Sequence, residues 1–269
     1  MNQALISLID SKKEADLHFY TLGTFTAHIG GREISTRDWG RDKTIQLIQF
    51  FITSRHRKGL HKEQIIDRLW PDIDMDQGSR DFKIAHHGVN KTLEPTRKSR
   101  ELAKYVIREG LTYQLNHNNV WIDAAAFDKA IEIANHCKDS DEETMIEALE
   151  YAANLYKGTY LPNRIFEDWS SLERERLQLL AINAMISLGE LLLESNPEES
   201  IRLAQEALRI DSTWEEAYRL QMLAYQKKNN RPQVIKTFNL CKKVLEEEFG
   251  ISPLPETESV YEAVMSFGT

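Results

Sequence analysis

The chain has 269 residues, of which 41% are apolar and 28% are charged, and its formal net charge is −8. Such a composition argues against a mainly disordered chain, and the overall acidity argues against unspecific nucleic-acid binding while leaving a local basic surface open. Residues 1–123 carry 19 Lys and Arg against 16 Asp and Glu (+3), whereas residues 124–269 carry 15 against 26 (−11), which predicts two domains with different partners.

Residues 1–16 show only a broken apolar run, without a basic flank or a small-residue cleavage site. They are interpreted as a linker or an added helix. No segment of the chain approaches eighteen consecutive apolar residues. We therefore expect a cytoplasmic protein without a membrane partner.

A short β-rich stretch and two amphipathic helices follow. LHFYTLG (17–23), FTAHIG (25–30) and REI (32–34) are separated by glycines and predict a small antiparallel sheet. The helices are DKTIQLIQFFITS, with Ile45, Ile48, Phe51 and Ile52 on one stripe, and HKEQIIDRLW, with Ile65, Ile66 and Leu69.

The stretch SRDFKIAHHGVNKTL (79–93) predicts a third helix. At 100° per residue, one side carries Phe82, His86, Val89 and Leu93 and is expected to be buried, with His86 partly buried and hydrogen-bonded. The opposite side carries Arg80, Ile84, His87 and Lys91, with Lys83 and Asn90 to one side of it. KYVIREGLTYQL then predicts a hairpin that turns at Glu109-Gly110. The order sheet, three helices and hairpin predicts a winged helix.

The second half of the chain is helical by period, with short polar turns such as SNPEE, RIDST and KNNRP. PEESIRLAQEALRI and RPQVIKTFNLCKKVL are offset by 34 residues, the repeat length of tetratricopeptide (TPR) helix pairs. Stacked pairs of this kind form grooves, so a peptide, a protein or a small ligand is a candidate effector here. Cys137 and Cys241 lack metal-binding spacing, so we predict buried thiols, no metal site and no cofactor.

The chain resembles the antibiotic-regulatory (SARP) family of bacterial transcriptional activators from about Leu17 to Met265. The motifs that carry the resemblance are LGTFTAHIGGREI, RDKTIQLIQFFI, LHKEQIIDRLWPD, YVIREGLTYQL, YKGTYLP (156–162), EEAYRLQMLAYQ (215–226) and LEEEFGISPLPET (245–257). The resemblance implies a mainly α fold with a small β component. An OmpR-type winged helix would occupy residues 17–123, and an all-α, TPR-like bacterial transcriptional activator domain residues 124–269. It also implies double-stranded DNA and RNA polymerase as partners, with two protomers side by side on repeated half-sites.

The third helix of a winged helix enters the major groove, and the hairpin lies beside it. The candidate DNA-contacting residues are therefore Arg80, Lys83, Ile84, His87, Asn90, Lys91 and Arg108. An ordinary solvated helix face is the alternative. The family's helix commonly carries Ser-Arg-Leu-Arg-Arg, whereas the matching residues here are His87, Gly88, Val89, Asn90 and Lys91. Two arginines are absent, so weaker or redirected DNA binding is expected.

In PDIDMDQGS (71–79), Asp72, Asp74 and Asp76 alternate as in a calcium loop. Gln77 and Lys83 stand where such a loop needs glycine and glutamate, which excludes that site. The segment resembles the loop through which such regulators contact RNA polymerase. Its carboxylates are equally suited to stabilising the N-terminus of the next helix.

Phosphate-binding, dinucleotide-binding and hydrolase motifs are absent from the sequence, so we do not expect an enzyme. Two hypotheses remain. The first is a sequence-specific DNA-binding activator that recruits polymerase, and the second is a protein-interaction module of TPR-like repeats with weakened or lost DNA binding. The chain is also compatible with the C-terminal part of a longer sensor.

Overall fold

The computed structural model of the chain describes residues 2–98 and 101–266. They form two compact units. The winged-helix unit contains Ile6–Ala126 and Thr159–Glu175. The helical unit contains Phe127–Gly158 and the chain from Arg176 onward, together with the first residues through Leu5. Residues 159–175, which the sequence division assigns to the helical domain, thus belong to the winged-helix unit.

The first part of the chain alternates short strands and helices. In order these are α1 (Gln3–Glu14), β1 (Leu17–Tyr20), β2 (Thr26–Ile29), β3 (Arg32–Glu33), α2 (Thr36–Trp39), α3 (Asp42–Thr53), β4 (Leu60–His61), α4 (Lys62–Leu69), α5 (Met75–Leu93), β5 (Val106–Glu109), β6 (Thr112–Leu115) and β7 (Val120–Ile122). The remainder is helical: α6 (Asp123–Cys137), α7 (Glu142–Leu155), a 3₁₀ turn (Pro162–Arg164), α8 (Asp168–Leu191), α9 (Pro197–Ile210), α10 (Glu215–Lys227), α11 (Arg231–Phe249) and α12 (Pro255–Ser266).

The winged-helix unit contains two small sheets. The first has the strand order β3-β2-β1-β7, and β7 runs parallel to β1, with His18 opposite Trp121. The sequence predicted its antiparallel part but not β7. The second has the order β4-β6-β5, in which β5 and β6 form the predicted hairpin. Glu109 pairs with Thr112, so the turn is made by Gly110 and Leu111, and Gly110 has a positive φ of 63°.

α3 is buried almost all around, although its sequence predicted a single apolar stripe. Gln46 and Gln49 are buried along with the apolar side chains between them and up to Ile52. α5 packs against this helix. Two polar side chains of the segment Thr159–Glu175 form hydrogen bonds with Gln49 and Thr53 of α3. A helix covered from more than one direction has no solvated face left, which accounts for its buried glutamines.

The helical unit is a series of antiparallel-type helix pairs, in which α10 packs against α9, α11 and α12. Asn196 and Asn230 are the N-cap residues of α9 and α11. They lie 34 positions apart and cap their helices in the same way, which agrees with the predicted repeat. α12 was not predicted. Both cysteines are buried free thiols, as expected, and burial raises the pKa of Cys241 to about 12.

Among residues 2–98 and 101–266, no helix has the length and apolarity needed to cross a membrane.

Candidate nucleic-acid interface

α5 is longer than its sequence pattern predicted, because it begins at Met75. The Asp74 side chain caps it by accepting a hydrogen bond of 2.9 Å from the backbone N–H of Gln77, and Asp76 lies in the first turn. A carboxylate at this end of a helix is stabilised by the exposed N–H groups and the helix dipole. Asp74 and Asp76 therefore have a structural role at the helix start, while Asp72 is exposed in the shorter loop that remains.

The inner side of α5 supplies part of the hydrophobic core. Phe82, Ala85, Val89 and Leu93 are all at most 3% exposed. Phe82, Val89 and Leu93 belong to the predicted stripe, Ala85 is added to it, and His86, its fourth predicted member, is partly buried. A helix anchored along this side has its opposite side fixed toward solvent.

The outer side of α5 is cationic and open. Arg80, Lys83, Ile84, His87 and Lys91 are all exposed. The Arg80 guanidinium donates to Oε1 of Gln77 at 2.8 Å, which leaves its other N–H groups available. Within residues 2–98 and 101–266, these cations have no carboxylate partner. Their positive charge is therefore uncompensated at this surface.

Asn90 lies elsewhere, contrary to the sequence expectation. It is only 6% exposed, and its Nδ2 lies 3.3 Å from Nε2 of His86. The amide donates and the ring nitrogen accepts. A side chain held in this way points into the unit, so Asn90 is removed from the candidate DNA-contacting set.

The positions of the two missing arginines now have a structural explanation. Asn90 faces inward, and Gly88 lies where α5 crosses α3. A Cβ at Gly88 would come within 2.7 Å of Oγ1 and 3.0 Å of Cγ2 of Thr44. Gly78 has the same role against α4, since its Cβ would lie 2.4 Å from Cγ2 of Ile66. The two positions at which the family carries the missing arginines thus face other parts of the unit on this helix.

His86 stays neutral on the inner side of the helix. Its ring stacks on Phe82 with centroids 5.8 Å apart and meets the edge of Tyr113 at 5.1 Å. Burial, and then the charges of Arg97, Arg108 and His87, lower the pKa of His86 to about 4. This matches the predicted partly buried, hydrogen-bonded histidine and excludes His86 as a cation for phosphates.

Arg108 is exposed on the hairpin, but its side chain folds back. Its Nε donates to the carbonyl oxygen of Gly110 at 2.8 Å, and its guanidinium lies 5.7 Å from the centroid of the Tyr113 ring. The terminal nitrogens remain on the surface. The hairpin, which is the wing of the winged helix, thus presents one cation, and its position is set by Tyr113 of the adjoining strand.

A cleft of about 300 Å³ lies beside the outer side of α5. Ile84 and Asp81 of α5 line it, together with Arg41 and Lys43 at the start of α3 and Trp70 after α4. The Lys43 ammonium sits 5.2 Å from the centroid of the Trp70 ring and donates to the carbonyl oxygen of Leu69. Burial lowers the pKa of Lys43. Of these residues the sequence selected only Ile84, because the others join it only when three helices pack.

The start of α3 is held by the segment Thr159–Glu175. Arg164 donates to both carboxylate oxygens of Asp42, at 2.9 and 2.5 Å, and its Nε donates to Oε1 of Gln49 at 2.8 Å. The hydrogen bond from Arg164 lowers the pKa of Asp42. Further along α3, the hydroxyl groups of Thr53 and Tyr160 lie 2.8 Å apart. This segment therefore supports the helix against which α5 packs.

The profile of the Bacterial transcriptional activator domain family matches residues 122–265, more than half of the chain. The chain belongs to the SARP-type transcriptional regulators. This confirms the family that the sequence motifs indicated, which is a family of regulators and not a class of enzymes.

The fold of the regulator is similar to that of a solved chain described as Mycobacterium tuberculosis EmbR in complex with a low affinity phosphopeptide. The TM-score is 0.77 and the sequences are 16% identical. The match covers 95% of the regulator and 66% of the EmbR chain, so the regulator spans just under two thirds of that chain's length. At this identity the likeness shows the shared fold. No protein of curated function matches the regulator in sequence.

Proposed function

We propose that the regulator activates transcription by binding double-stranded DNA through the outer side of α5, with Arg108 of the wing on the flanking backbone. One observation carries this proposal: Arg80, Lys83 and Lys91 are exposed and uncompensated on the side of α5 that faces away from its apolar anchor. Cations in that arrangement replace the counterions that condense on DNA phosphates.

The spacing along α5 supports the same conclusion. Arg80 and Lys91 are eleven residues apart, which is about 16 Å along a helix at 1.5 Å per residue. Because the major groove is roughly 12 Å wide, cations at the two ends reach phosphates while the centre of the helix meets the base edges. Ile84 lies in that centre and is 47% exposed, so it suits a thymine methyl group. His87 suits an acceptor on a base or a phosphate.

Recruitment of RNA polymerase is assigned to the segment before and at the start of α5. Asp72, Asp74 and Asp76 are all exposed there, including the two that stabilise the helix start. A surface of this kind favours a basic partner surface. Two protomers on repeated half-sites would place two such segments on one promoter.

We also propose that the helical unit binds an effector. The EmbR chain was solved with a phosphopeptide, but residues 124–269 of this regulator carry a net charge of −11. Like charges repel, so a basic peptide, a basic protein segment or an uncharged small ligand suits this unit better than a phosphorylated one.

Salt-dependent binding tests the DNA-binding proposal. Affinity for a duplex is measured against ionic strength for the regulator and for the Arg80→Ala/Lys91→Ala variant. Loss of two phosphate contacts is expected to weaken binding and reduce the slope of log K against log [salt] by about 1.8, with thermal stability nearly unchanged. The matched control is Lys236→Ala/Lys242→Ala, which removes the same charge from exposed sites of the helical unit.

A near-zero slope for the unmodified regulator would instead favour the interaction module that has lost DNA binding. An unaltered isotherm for Arg80→Ala/Lys91→Ala would remove α5 from the interface. Selection of bound duplexes from a random pool then returns the half-site and its spacing.

A further inference from the structure

The end of α11 and the turn that leads to α12 present three large apolar side chains to solvent. Phe249, Ile251 and Leu254 are 62%, 50% and 50% exposed. They lie within six consecutive residues, a stretch that one short peptide segment is long enough to span. Clustered apolar side chains on a surface are a feature of protein–protein contact sites.

The turn is fixed from its inner side. Glu215 is only 8% exposed, and one of its carboxylate oxygens accepts from the N–H of Leu254 at 2.8 Å and from the hydroxyl of Thr257 at 2.6 Å. Arg219 donates in turn to the Thr257 hydroxyl at 2.9 Å. Pro253 is buried between the exposed residues. A loop whose backbone is held in this way presents its outer side chains in one arrangement, which lowers the entropy cost of binding.

The beginning of the turn is also defined. Gly250 has a φ of 67°, and its N–H donates to the carbonyl oxygen of Glu246 at 3.0 Å. The N–H of Ile251 reaches back to Leu245. This left-handed cap ends α11 and sends the chain away from the helix axis. Ile251, the residue that follows this cap, thus has a defined backbone position and is half exposed.

Glutamates flank the apolar residues along the chain. Glu246, Glu247 and Glu248 precede them, Glu256 and Glu258 follow them, and all five are exposed. Against two lysines, residues 242–258 carry five glutamates, a net charge of −3. Lys243 pairs with Glu247 at 3.7 Å, whereas in the described part of the chain the other four glutamates have no ion-pair partner.

We propose that this turn is a docking surface for a segment of another protein that carries both cationic and apolar side chains, such as a basic amphipathic helix. The apolar residues need an apolar partner face, and the flanking carboxylates need cations on the same partner. Nucleic acid and anionic membranes carry the wrong charge for this surface. The inference goes beyond DNA binding and does not depend on it, since the residues lie in the helical unit.

Selection from a peptide library tests the proposal. A library with twelve randomised positions is selected against the immobilised full-length regulator, and the enriched peptides are synthesised. We expect them to combine Lys or Arg with apolar residues. We also expect them to bind the Ile251→Ser/Leu254→Ser variant at least about tenfold more weakly than the unmodified regulator, as the loss of central apolar contacts predicts.

Two further variants separate the contributions. Glu246→Gln/Glu248→Gln/Glu256→Gln is expected to weaken the same peptides about threefold to tenfold and to flatten their salt dependence. Leu179→Ser is the matched control, because it removes a 47% exposed leucine elsewhere in the helical unit and should leave binding unchanged. Circular dichroism and thermal unfolding confirm that each variant is folded.

Several results would overturn the proposal. Peptides that bind Ile251→Ser/Leu254→Ser as well as the unmodified regulator would place the site elsewhere, and enriched peptides without basic residues would remove the charge argument. A dimer in sedimentation that dissociates in Ile251→Ser/Leu254→Ser would identify a second copy of the chain as the occupant. Absence of any enriched peptide would end the proposal.

Discussion

A single side chain, His86, is expected to make the stability of the winged-helix unit depend on pH. It lies between Phe82 and Tyr113 and accepts a hydrogen bond from Asn90, an arrangement that requires the neutral ring. The positive charges of Arg97 and Arg108 add to the effect of burial in lowering its pKa to about 4, from an ordinary value of 6.5. Sequence periodicity located this residue on the inner side, but its acidity depends on neighbours from the hairpin.

This lowered pKa predicts acid sensitivity. Between pH 6.5 and pH 4 the unfolded chain binds a proton at His86 and the folded chain does not, so the free energy of unfolding should fall as the pH falls through that window. The stabilisation that comes from keeping His86 neutral should be fully present above pH 6.5. The expected loss is on the order of 2 kcal/mol. Urea unfolding at pH 7 and pH 4.5 measures it.

The His86→Gln variant should lack this part of the pH dependence. His87→Gln is its control, because it removes an exposed imidazole from the same helix. Equal pH dependence in the unmodified regulator and in His86→Gln would contradict the role assigned to His86.

At the scale of helices, the crossing of α3 and α5 decides the meaning of Gly88. From the sequence this residue is a weak point in a helix and a missing arginine. In the structure it permits contact with Thr44, which is 3% exposed. Asn90 is a second example. The sequence predicted that it contacts DNA, whereas in the structure it is buried beside His86.

Gly88→Ala is expected to destabilise the winged-helix unit by about 1 kcal/mol, because the overpacking cost of about 1–3 kcal/mol exceeds a gain in helix propensity of about 1 kcal/mol. In a Thr44→Ala background the colliding atoms are gone, so the same substitution should become neutral or stabilising. A double-mutant cycle in thermal unfolding measures this change of sign. Additive effects of the two substitutions would show that the helices do not meet at this point.

Across the whole chain, the segment Thr159–Glu175 extends the winged-helix unit beyond the part of the sequence that predicted it. Arg164 bonds to Asp42 and Gln49, and Arg55 pairs with Glu173 at 2.5 Å with both side chains largely buried. Residues matched by the Bacterial transcriptional activator domain profile thus contribute to the unit that carries α5. The DNA-binding candidate surface therefore depends on both parts of the chain.

Arg164→Gln should destabilise α3 by about 2 kcal/mol, because Oε1 of the buried Gln49 loses its donor and the bidentate ion pair with Asp42 is lost as well. Asp42→Asn should cost less than about 1 kcal/mol, since the Asp42 side chain is 69% exposed. Hydrogen exchange of the α3 amides measures both effects locally. Unchanged exchange in Arg164→Gln would show that the segment does not support α3.

Local periodicity determined the two sides of α5, the hairpin and the paired helices of the second half. Each of these patterns repeats within a few residues and reflects the geometry of a single element. The order of the motifs also determined the family. The periodic patterns required nothing beyond neighbouring residues, whereas the family required the order of motifs along nearly the whole chain.

Tertiary structure alone decided the parallel pairing of β7 with β1, the burial of α3 on more than one side, and the place of residues 159–175. It also turned Asn90 from an expected DNA-contacting residue into a packing residue, and it gave Gly88 a packing role against α3. The physical reason is that these features depend on contacts between residues distant in sequence, where a side chain's role is set by the surface it meets and not by its own pattern.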